Sequence, residues 1–175
     1  MNKPFAAIIL LSLSACNSTT TTSSAPIDPN ASSQLFSDLS SQTELAAANL
    51  PNSNSASYSG YIEVNLSASA TAIGELNANV NFGSDTYTMS STNWIEVTAT
   101  TEASITGSLT GSGTVVTDPI EDTAGITGTL AGQVDGTDVD LVLSGTFTGS
   151  GSGMPTGLFG GSDSGTTHSA RFALE

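Results

Sequence analysis

Strict alternation of apolar and polar residues limits what this chain can fold into. Ile62, Val64 and Leu66 alternate with Glu63 and Asn65. Leu76, Ala78, Val80 and Phe82 alternate with Asn77, Asn79 and Asn81. Ile95 and Val97 alternate with Glu96 and Thr98, and Val139, Leu141 and Leu143 with Asp138, Asp140 and Ser144. Side chains on a strand point to opposite faces in turn, so each run has one apolar face and one wet face. That is the pattern of antiparallel strands. Clusters of turn-forming residues interrupt the runs at Gly83-Ser84-Asp85, Asp135-Gly136 and Gly160-Gly161-Ser162. Short strands at such intervals predict an all-β domain, a sandwich or a barrel.

A second periodicity favours the barrel. Ile105-Thr-Gly107-Ser-Leu109-Thr-Gly111 recurs as Ile126-Thr-Gly128-Thr-Leu130-Ala-Gly132 and as Leu143-Ser-Gly145-Thr-Phe147-Thr-Gly149. In each copy the glycines share the apolar face. Glycine weakens a strand, so its repeated placement there asks for a use. A small barrel supplies one, because its tight interior accepts large side chains only beside small ones. A membrane-spanning barrel would also alternate, but these strands lack the two aromatic girdles of that class, and Arg171-Phe172-Ala-Leu-Glu175 lacks a terminal aromatic.

The first 15 residues read as an export signal. Lys3 supplies the positive region, and Phe5–Leu13 is an apolar stretch too short to cross a bilayer. Leu13-Ser14-Ala15-Cys16 resembles the lipobox of bacterial lipoproteins. The resemblance implies cleavage before Cys16 and acylation of its sulfur and amine, giving a firm membrane anchor. Asn17 stands where an Asp would resemble an inner-membrane retention signal, which points to the outer membrane. Residues 16–34 (through NSTTTTSSAPIDPNASS) read as a lipidated flexible tether. Residues 35–56 read as a short helix and linker, or as an unstructured continuation; Leu35, Phe36 and Leu39 fit one helical face, and Pro51 would stop the helix. The β domain then occupies 57–175.

Charge narrows the partners. Lys3 and Arg171 are the only lysine and arginine, against 16 acidic residues. Nucleic acid and anionic headgroups, normally held by clustered Lys and Arg, are excluded. The side chains offer little for catalysis or for a resident cofactor. His168 is the single histidine, no Gly-x-Ser-x-Gly elbow occurs, and Cys16 is the only cysteine. Two acidic clusters, Asp135/Asp138/Asp140 and Asp118/Glu121/Asp122, carry oxygen ligands but no EF-hand spacing, and read as solvated turns. Haem could take His168, Tyr58, Tyr61 or Tyr87 as an axial ligand, although a solvated His168 is the plainer reading. Trp94 reads as core packing or as an exposed anchor. No catalytic residue, metal site or cofactor is expected.

Pro155-Thr-Gly157-Leu158-Phe159-Gly160-Gly161 resembles the Gly-x-Phe-x-Gly segment near the end of the β-barrel domain of transferrin-binding protein B, and that of the factor H binding protein. Tyr58-Ser-Gly60-Tyr61 resembles that domain's opening strand, and Ala78-Asn-Val-Asn-Phe82 its second. Asn81 stands where the family often has Asp, and Gly165 and His168 where it usually has Glu and Gly. The resemblance implies an up-and-down antiparallel barrel of about eight strands on a lipid tether, in the outer membrane and often on the cell surface. It makes Tyr58, Gly60, Phe82, Gly157, Phe159, Gly160 and Gly161 structural motif residues. It also implies a binding module for a host or environmental protein or an iron-related small ligand. The alternative is a structural envelope lipoprotein that faces the periplasm and binds nothing specific.

Overall fold

The computed structural model describes residues 27–150, 153–162 and 168–175. The signal segment, Cys16, most of the tether and Gly165 lie outside the described residues. Among the described residues nine strands follow one helix, α1 (Pro29–Ser40). They are β1 (Ser55–Ser67), β2 (Ala70–Asn81), β3 (Thr86–Val97), β4 (Glu102–Ile105), β5 (Gly107–Asp118), β6 (Thr123–Val134), β7 (Thr137–Thr148), β8 (Gly157–Ser162) and β9 (Ala170–Leu174). Each pairs antiparallel with its neighbours. Eight of them close a circuit, β1-β2-β3-β5-β6-β7-β8-β9 and back to β1. The expected all-β barrel of eight strands is therefore the fold, with β4 as an extra strand beside β3.

Closure puts the apolar faces inside, and the glycine repeat explains how they fit. Trp94, Tyr87 and Phe172 are all buried in the interior. Each lies against two glycines. A Cβ on Gly74 or Gly107 would come within 2.6 or 3.0 Å of the Trp94 ring. Gly113 and Gly128 flank Tyr87 in the same way, and Gly145 and Gly160 flank Phe172. The missing side chains are the space the aromatics occupy. Trp94 is thus core packing, not an exposed anchor.

One register change corrects the sequence reading. The first half of β3 pairs with β5 as far as Ser91↔Leu109, and its second half pairs with β4 from Trp94↔Ile105. One extra residue is absorbed at Thr92-Asn93, where Asn93 adopts φ 52°, and the β2 ladder shifts at Gly74/Glu75. The bulge reverses the facing of everything beyond it. Tyr87, Met89 and Ser91 point inward and so does Trp94, which turns Ile95 and Val97 outward. There Ile95 packs with Ile27 and Ile73 in a second apolar cluster, flanked by Tyr61 and Val97. The alternation of Ile95 and Val97 was a true strand signal on the opposite face.

The helix also lies earlier than expected. Asp28 caps it, its carboxylate accepting from the Asn30 N–H at 2.9 Å, and Pro29 opens the first turn. Proline is suited to that position, because the N–H it lacks would have no helical partner. The tether reading therefore gives way at residue 28, and the helix ends at Ser40 rather than at Pro51. The chain then crosses one end of the barrel. Leu45, fully buried, plugs that end: its N–H donates to the Phe147 carbonyl at 2.8 Å, and its carbonyl accepts from Ala124 at 3.0 Å. A three-residue 3₁₀ turn (Ala47–Asn49) leads on to β1.

Candidate functional site

The barrel has two unlike ends. At one, tight hairpins join β1 to β2, β3 to β4, and β6 to β7. Asp135 (φ 49°) and Gly136 (φ 72°) make the last a two-residue turn of the type that matches strand twist. At the other, the Leu45 plug meets the β2–β3, β5–β6 and β7–β8 connections. The plugged end is held together by aromatic contacts. The Phe147 ring lies 5.6 Å from Phe82 and 6.3 Å from Tyr58. Tyr58 donates its hydroxyl to the Pro155 carbonyl at 3.2 Å. Burial without a charged partner pushes the Tyr58 and Tyr87 hydroxyls up to about 12.

The motif residues named from the sequence divide among three places. Tyr58 and Phe82 belong to this inner packing. Gly60, Gly157 and Phe159 form the seat of α1. A Cβ on Gly157 would come within 2.5 Å of Leu39, and one on Gly60 within 3.0 Å of Leu35. The Phe159 ring meets Phe36 edge-on at 6.2 Å. Arg171 caps this seat. Its guanidinium lies 4.7 Å from the centre of the Phe36 ring and bonds Glu63 at 2.5 Å, while Ser32 donates to the same carboxylate at 2.7 Å. Gly160 and Gly161 form part of the outer wall beside the seat, where a groove opens.

That groove holds about 370 Å³ and crosses the outer wall from β5 to β8. Gly125, Gly145, Gly160 and Gly161 form its floor, and Val116 and Phe159 stand at its sides. Its carboxylates, Glu44 and Asp118, belong to the plugged end. A Cβ on Gly125 or Gly160 would run into the carbonyl oxygen of the neighbouring strand. Close strand approach thus requires these glycines; Gly125 opens the outer face beside Thr127 and Thr146, whereas the space at Gly160 is taken by Phe172 inside.

Asp118 has a further job. Its Oδ1 accepts from the N–H groups of Ile120 (2.7 Å) and Glu121 (3.2 Å). This turn holds Ile120 outward at 91% exposure, the most exposed of the large apolar side chains described. The Asp122 carbonyl accepts from Ala47, tying the turn to the plug. The acidic turn is therefore a built support for an apolar tip, a role the sequence reading missed. The signal was there: Ile120 is the single aliphatic residue in Asp118-Pro-Ile-Glu-Asp122.

The wall running from β1 round to β6 has a different character. Ser57, Asn79, Thr88, Ser112 and Thr129 stand side by side across five strands, all exposed and none charged. Tyr61 lies on the outer wall near Ile27, whereas Tyr58 and Tyr87 are inside the barrel. His168 Nδ1 lies 3.2 Å from the Asn65 carbonyl. Among the described residues no three His, Cys, Asp or Glu converge on a metal-sized site.

No family model and no curated protein matches this chain. The site must be read from its own chemistry. It offers a groove lined by glycines, threonines, Val116 and Phe159, with carboxylates at one end. Among the described residues the single Arg or Lys is Arg171, already paired with Glu63.

Proposed function

We propose that this chain is a lipid-anchored envelope protein of the outer membrane. Its barrel is a binding module, not a catalyst, and resembles the barrel of the transferrin-binding-protein family. The observation that carries the reading is Leu13-Ser14-Ala15-Cys16, directly after an export-type apolar stretch and ahead of a well-packed acidic domain. The packing of the barrel supports the rest. Large side chains fill the interior, so recognition falls to the outer wall and the plugged end. Ile27 docks toward the hairpin end, beside Ile73 and Ile95. The ten residues between Cys16 and Ile27 can span at most about 35 Å. An anchor at Cys16 would hold the hairpin end nearer the bilayer and turn the plugged end, with Ile120, outward.

One observation favours the second reading, a structural lipoprotein facing the periplasm. The exposed large apolar side chains described are Val116, Ile120, Val142 and Met154, with no aromatic among them. Tight protein interfaces favour Tyr, Trp and Arg.

The anchor is tested by metabolic labelling with a fatty acid. The wild-type chain should take up label and partition with the outer membrane, and Cys16→Ser should do neither. An unlabelled wild-type chain would remove the anchor from the account.

A further inference from the structure

We propose that the groove on β5–β8 binds an extended, cationic peptide segment, with a lysine or arginine directed at Glu44 and Asp118. The proposal deepens the binding-module reading, since it names what that module takes.

Four observations carry it. The first is shape. The groove follows the outer wall across four strands; Gly125 and Gly161 leave gaps in the row of outward side chains, so a ligand backbone can approach the sheet there, between Thr127, Ser144 and Thr146. The second is chemistry along its length. Val116, 39% exposed, and the half-buried Phe159 offer apolar contact, and Thr127 and Thr146 contribute hydroxyls. The third is charge. Both ionisable side chains of the groove are carboxylates, and Glu121 and Asp122 follow on the Asp118 turn. Arg171 pairs across from Gly161 at the β8 edge of the groove, and its guanidinium is already bonded to Glu63. An anionic occupant would be repelled by these carboxylates, whereas a basic side chain would add an opposite charge to Glu44 and to Asp118, whose Oδ1 already accepts from Ile120 and Glu121. The fourth is preorganisation. The floor strands are paired on both sides through Gly125↔Thr146 and Gly145↔Gly160, so binding need not order the wall. The hydroxyl wall around Thr88 has neither the apolar sides nor the carboxylates, and provides an internal control.

The test uses the full chain in a non-ionic detergent. The probe is a fluorescent peptide of alternating lysine and valine, followed by anisotropy. Saturable binding that weakens with added salt is expected. Thr127→Arg places a cation in the groove and should weaken binding by about ten-fold or more. Glu44→Gln with Asp118→Asn should do the same; asparagine keeps the oxygen that holds the Ile120 turn. Thr88→Arg makes the same charge change on the hydroxyl wall and should cost less than about two-fold. Equal losses for Thr88→Arg and Thr127→Arg would show diffuse attraction to an acidic protein and overturn the proposal. So would the absence of saturable binding, or unchanged binding in the carboxylate variant. Circular dichroism confirms that each variant is folded. The experiment is done in solution, so failure of the lipid anchor would leave its result standing, and the reverse also holds.

Discussion

Gly145 shows how closely single residues are fixed here. A methyl group at this position would come within 2.7 Å of the Phe172 ring and 2.9 Å of the Phe159 carbonyl. Gly145→Ala should therefore destabilise the barrel by about 1–3 kcal/mol in denaturant unfolding. Adding Phe172→Leu should recover part of that loss, because it removes one of the two obstacles. A change confined to Gly145→Ala that leaves stability intact would mean the aromatics do not need the glycines. The two interior tyrosines differ in a way that can be measured. Tyr58 donates to Pro155, whereas the buried Tyr87 hydroxyl has no partner among the described residues. Tyr58→Phe should cost about 1 kcal/mol, and Tyr87→Phe should be neutral or stabilising. Both hydroxyls ionise near 12 when folded, against 10.0 when exposed. Below pH 10 both states keep the protons, and stability does not depend on these groups. Between pH 10 and 12 the unfolded chain loses protons that the folded chain retains, so stability falls as pH rises. A denaturation series across that window should show the fall, and the double Phe variant should flatten it.

At the scale of elements, the plug and the helix are the parts added to the barrel. Leu45→Ala should cost about 2–5 kcal/mol, since Leu45 is fully buried and its backbone is held on both sides. Asp28→Ala should cost about 1 kcal/mol through the lost cap. Strands were legible in the sequence because their two-residue period survives any packing detail. The Ile105, Ile126 and Leu143 repeats could be read as inward faces for the same reason. The bulge at Asn93 was not legible, since one residue in a left-handed conformation leaves no mark on composition. It reversed the facing of Ile95 and Val97. The helix was half legible. Leu35, Phe36 and Leu39 do share its buried side, but Pro29 was assigned to the tether when it is the first helical residue. Leu45 belongs to no periodic run, so its role as a plug appears only when the barrel closes. The groove was hidden for a related reason. Its floor glycines come from β6, β7 and β8, and only the register brings Gly125, Gly145 and Gly160 together.

At the scale of the whole molecule, the outer surface is divided. One side is a neutral lattice of Ser, Thr and Asn; the other carries the glycine-floored groove, and the Ile120 turn lies at the plugged end. The acidity is spread over both ends, which discourages association with anionic surfaces and leaves a basic partner as the favourable one. If Cys16 is the anchor, as proposed, its short reach to Ile27 would give the division a direction, with the plugged end outermost. This can be tested with one thiol. Acylation would consume the Cys16 sulfur, so Ile120→Cys would carry the only free thiol of the mature chain. The decisive measurement is reaction of that thiol with a membrane-impermeant maleimide on intact cells, with the wild-type chain as control. Surface display predicts labelling of Ile120→Cys without opening the outer membrane, and none of the wild type. Labelling of Ile120→Cys only after the outer membrane is permeabilised would contradict surface display and leave a barrel that faces the periplasm.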